Sequence, residues 1–172
     1  MKTTLKKIKA NDPCEPGWDK LLAALGKTEA DDEPIELSFI LQSNGFNDTL
    51  WVLRAVDGYE KEMRLFAVFC ARQVQHLMTD KRSINAIDIA ERFAHGEAME
   101  LDLVAARDAA RAAWAASDAA RAAAYAAEWA ASDAARDAAR DAAWAAARAA
   151  TENDEPAIKT AIREKFKKLI LL

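Results

Sequence analysis

The feature that most constrains this chain is an alanine-rich tract from Leu103 to Ala150 that holds neither Gly nor Pro. Alanine loses no side-chain entropy in a helix, so the composition predicts helix throughout. Trp114, Trp129 and Trp144 recur in the tract at even spacing, and the run WAASDAAR occurs twice, at Trp114–Arg121 and Trp129–Arg136. At about 100° per residue, Arg107, Arg111, Trp114, Asp118, Arg121, Tyr125, Trp129, Ser132, Arg136 and Arg140 share one broad face. The opposite face is bare alanine from Ala109 to Ala149, which lets another helix approach closely. Asp–Arg pairs three residues apart, among them Asp108–Arg111 and Asp118–Arg121, balance the charge of the tract.

Length raises a difficulty for such a helix. A straight helix over Leu103–Ala150 spans about 70 Å at ~1.5 Å per residue. A compact chain of 172 residues is only roughly 40 Å across. A straight tract must therefore overhang, pair with a second chain, or break. Ser117-Asp118 and Ser132-Asp133 could cap new helices at a break, but no Gly or Pro marks a turn. One long helix is the favoured reading, and its overhang and alanine face together motivate a homodimer.

The remaining segments also read as helices. Thr3 to Ala10 is a short basic helix stopped at Asn11-Asp12-Pro13, and Pro16 to Leu25 is an amphipathic helix closed by Gly26. Lys27 to Pro34 is an acidic loop, and Ile35 to Gln42 is expected as a short helix rather than a strand. After the Asn44-Gly45 turn, Asn47 or Asp48 is the expected cap of a helix from Thr49 to Val56. Tyr59 to Met78 is apolar over so much of its surface that it reads as the hub of the core. Ser83 is the expected cap of the next helix, which stops at His95-Gly96; a basic amphipathic helix from Ala157 closes the chain. No segment alternates with period two between hairpin turns. The expected fold is all-α, a helical bundle with one long alanine-rich helix. Residues 1–102 form an N-terminal helical domain, 103–150 the long helix and 151–172 the closing helix, all in one compact unit.

Composition excludes several classes of function. The basic N-terminus lacks an apolar core, so it does not read as a signal peptide. No run of about 18 uncharged apolar residues exists, and the tract carries a charge every few positions, which argues against a membrane span. A net charge of −4 without a basic stripe argues against nonspecific nucleic-acid binding. Two distant cysteines, Cys14 and Cys70, suggest free thiols in a reducing compartment, so the expected location is the cytoplasm.

The stretch LWVLRAVDGYEKEMRLFAVFCARQVQHLMTDKRSINAIDIAERFAHGEA, followed by DAAR and DAAW repeats, resembles a family of small bacterial and phage proteins designated immunity proteins. The resemblance covers about Leu50 to Ala150, and LFAVFCAR, HLMTD and ERFAHG are its specific parts. It implies an all-α protein near mobile or conflict genes, in the host cytoplasm if phage-encoded, and supplies no catalytic residues.

Candidate site residues are those whose chemistry exceeds what a plain helix needs. Trp114, Tyr125 and Trp129 lie near one line with Arg111, Arg121 and Arg136 interleaved, a combination suited to stacking on a base and pairing with phosphate. The competing reading is that the aromatics are core and the arginines pair with aspartates. Arg54 and Arg72 sit within apolar runs, so each must be paired or line a cavity, with Asp57 and Glu62 as the expected partners. Asp88, Glu91 and His95 share a helical face, but one His with two carboxylates is a weak metal signature, and no metal or other cofactor is expected. No nucleophile elbow, P-loop or zinc spacing is present. Three functions follow: an inhibitor that binds a protein target such as a toxin or host defence factor, a binder of a nucleotide-like small molecule, and an enzyme of unknown class.

Overall fold

The computed structural model describes residues 1–111, 141–142, 145–146 and 155–172. It is an all-α protein, with one pair of two-residue strands among the described residues, and its chain divides into two compact units, Met1–Tyr59 with Lys167–Leu172, and Glu60–Phe166.

The first unit is built from short helices because its sequence is punctuated every few residues. β1 (Lys2–Thr3) leads into α1 (Leu5–Lys9), whose start is capped by the Thr4 hydroxyl accepting from the Lys7 N–H at 3.2 Å. α2 (Glu15–Leu25) ends where Gly26 turns left-handed at φ 65°, a conformation that glycine adopts without steric cost. The Gly26 and Lys27 amides then satisfy the orphaned carbonyls of Ala23 and Leu22. Lys27 folds its ammonium onto Asp31 and Glu33, both at 2.6 Å, and so orders the acidic loop.

The stretch from Ile35 to Gln42 divides rather than forming one helix. Ile35–Glu36 is β2, antiparallel to β1 with Thr3 opposite Ile35, and α3 begins at Leu37 and runs to Ser43. The Thr3 hydroxyl donates to the Ala55 carbonyl, and the Met1 ammonium donates to the Ile170 carbonyl at 2.7 Å. Leu5, Ile8, Leu21, Leu37, Ile40 and Leu53 are completely or almost completely buried and form the apolar heart of this unit.

Neither Asn47 nor Asp48 caps the next helix. Gly45 occupies the cap at φ 92° and ψ −178°, a region open essentially to glycine alone, so α4 starts earlier, at Phe46, and runs to Val52. A 3₁₀ turn over Leu53–Ala55 follows. Asp48 instead accepts from the Asn44 side-chain amide at 3.0 Å, and the same amide donates to the Gly17 carbonyl at 2.8 Å.

The second unit packs longer helices. α5 (Glu60–Gln73) buries Met63, Phe66, Ala67, Cys70 and Ala71, which bears out its role as an apolar hub. It ends at Gln73, before a 3₁₀ turn over Gln75–Leu77, rather than continuing to Met78. α6 (Lys81–Ala94) packs against both α5 and α7 (Glu100–Arg111). Its cap is Asp80, not Ser83. The Asp80 carboxylate accepts the Arg82 N–H at 2.8 Å and also holds the Arg82 guanidinium at 2.6 Å, whereas Ser83 lies inside the helix at 1% exposure. Gly96, left-handed at φ 77°, ends the α6 region as its position predicts.

α8 (Glu155–Ile170) closes the described chain. Its Ile158, Ile162 and Phe166 are buried, and the Phe166 ring lies 5.6 Å from Phe66, tilted by 52°. Of the alanine-rich tract, α7 carries the first part, with Leu103, Ala106 and Ala110 forming its buried stripe. Ala142 and Ala146 are also fully buried, and Ala109 and Ala145 are half-buried. The expectation of a single long helix falls mainly on residues 112–140, which lie outside those described. No helix among the described residues is long and apolar enough to cross a membrane.

Candidate functional site

The corner between α6 and α7 presents the largest exposed apolar side chains of the second unit's described residues. Met99 is 67% exposed and Leu101 is 74% exposed. Hydrogen bonds order the backbone on either side of them. The Asp102 carboxylate accepts the Met99 N–H at 3.0 Å, and the Asp102 N–H returns to the Met99 carbonyl at 3.1 Å, a reciprocal cap of the first turn of α7. On the α6 side, the Arg92 guanidinium donates to the Glu97 carbonyl at 3.0 Å, and the Glu97 N–H donates to the Arg92 carbonyl at 2.8 Å.

α7 is therefore two-faced. Leu103, Ala106 and Ala110 turn inward, while Leu101, Ala105, Asp108 and Arg111 are exposed or largely so. Arg107 is half-buried on the flank, with its Nε 3.5 Å from an Asp108 carboxylate oxygen. The exposed residues here thus run from Met99, just before α7, through Leu101 to Arg111, the first of the arginines expected to bind. The rest of that expected set, Trp114, Arg121, Tyr125, Trp129 and Arg136, lies outside the described residues.

Arg54 and Arg72 have separate roles. Arg54, in the first unit, stacks its guanidinium over the half-buried Trp51 ring at 4.7 Å from the centroid. Arg72, in the second unit, ties α5 to α6. It donates to Gln75 at 2.8 Å, Asp88 at 2.8 Å and Glu91 at 2.6 Å, so its carboxylate partners come from α6 rather than from Asp57 or Glu62. Burial works against its charge, but the hydrogen bonds to Glu91 and Asp88 outweigh it and hold the guanidinium above its ordinary pKa. Asp57, for its part, receives the Lys7 ammonium at 2.9 Å. Asp88 and Glu91 are thus joined through Arg72, and no group of three metal-ligating side chains occurs among the described residues.

The thiols differ in setting. Cys70 is fully buried, and burial pushes its pKa far above the usual range, so it stays a protonated core side chain. Cys14 is exposed at the start of α2.

Sequence reasoning missed Met99 and Leu101. A signal was available: Leu101 stands about 200° around the wheel from Leu103, so both cannot share one buried stripe. No protein-family model, curated protein or solved structure matches the chain.

Proposed function

We propose that this protein acts by stoichiometric binding, as an inhibitor or immunity-type protein whose target protein docks on the outward face of α7. The observation that carries this reading is the exposure of Met99 and Leu101 at the capped start of α7, ahead of Arg111. Apolar side chains left in water are candidates for burial by a partner, and the capped first turn of α7 means that little backbone ordering entropy is lost on binding. Arg111, about 15 Å further along α7 at ~1.5 Å per residue, adds a residue type enriched among energetic anchors. The target is a toxin or a host defence factor in the cytoplasm.

The test uses a candidate toxin or defence factor, purified and titrated with the intact protein. One-to-one neutralisation is the expected result. A Met99→Lys, Leu101→Lys double variant should keep its helicity and lose at least about 30-fold in affinity, the equivalent of ~2 kcal/mol for a true anchor. Wild-type affinity in that variant moves the contact elsewhere, and substoichiometric neutralisation removes the binding class in favour of an enzyme.

The Arg54–Trp51 stack favours a second reading, a site for a nucleotide-like molecule, since an aromatic face beside a guanidinium suits both base and phosphate. An ultraviolet-absorbing compound released on denaturing the purified protein would support it over the first.

A further inference from the structure

We draw no further inference here: the strongest candidate, the exposed Cys14 thiol gathered with the Asp48 carboxylate around Gly17 at the start of α2, carries nothing, because it is a lone cysteine beside a carboxylate that already accepts from Asn44 and no second feature there points to a ligand.

Discussion

Replacing Arg72 with Met separates a structural role from a binding role at a residue the sequence alone leaves open. The side chain of Arg72 is 30% exposed, and its two carboxylate partners, Asp88 and Glu91, are 51% and 43% exposed. Ion pairs this wet contribute ~0.2–1 kcal/mol each, because water already solvates both charges. The hydrogen bond from the charged guanidinium to the neutral Gln75 side chain adds about 0.5–1.5 kcal/mol after the same discount for solvent. The Met stem keeps the apolar packing of the Arg stem, so the net cost should be about 1–2 kcal/mol. For a chain of 172 residues that is a fall in midpoint of roughly 2–8 °C.

Circular dichroism during urea and thermal unfolding measures the loss. Asp88→Asn and Glu91→Gln, alone and combined with Arg72→Met, should give coupling of ~0.3–1 kcal/mol per pair. In about 1 M salt the Debye length shrinks to ~3 Å and the difference from wild type should narrow. The reasoning fails if Arg72→Met unfolds like wild type at low salt. It fails differently if stability is unchanged while target binding is lost, since Arg72 would then belong to the contact surface.

Three further outcomes are expected. Phe166→Ala removes a fully buried ring packed at a tilt against Phe66 and should cost ~3–5 kcal/mol by chemical denaturation, more than any surface change named here. Gly45→Ala forces a side chain into φ 92° and should cost about 1–3 kcal/mol; an unchanged midpoint would show that α4 can start from another residue. Asp80 is held at about 2 by hydrogen bonds from the Arg82 guanidinium and backbone, so its carboxyl should titrate near that value by NMR. A depressed folded-state pKa means the contribution is present above the unfolded value of about 3.9 and is lost as pH falls toward 2, so Asp80→Asn should flatten the stability profile in that window.

What the sequence alone determined was mostly what neighbouring residues decide. Gly26 and Gly96 mark helix ends because only a residue without Cβ turns left-handed freely, and that requirement is local. The spacing of Met63, Phe66 and Cys70 places them on one side of α5 whatever they meet there, so the hub was legible. The all-α class followed from the same periodicities. Capping was less legible, because several nearby residues could serve. Asp80 prevails over Ser83 by adding an ion pair with Arg82 to the cap, and Gly45 prevails over Asn47 and Asp48 through a backbone conformation that leaves no trace in a side-chain pattern.

Tertiary structure decided everything that depends on distant partners. Arg72 finds Asp88 and Glu91 at separations of 16 and 19 residues, although Glu62 is nearer in sequence, because α5 and α6 pack side by side. Thr3 meets Ile35, and Ile35–Glu36 becomes a strand, because β1 is there to pair with it. Met99 and Leu101 stay in water for the matching reason: the stripe of α7 that docks inward runs through Leu103, Ala106 and Ala110. One helix can bury only one face against its neighbours, and which apolar residues are left outside is settled by those neighbours.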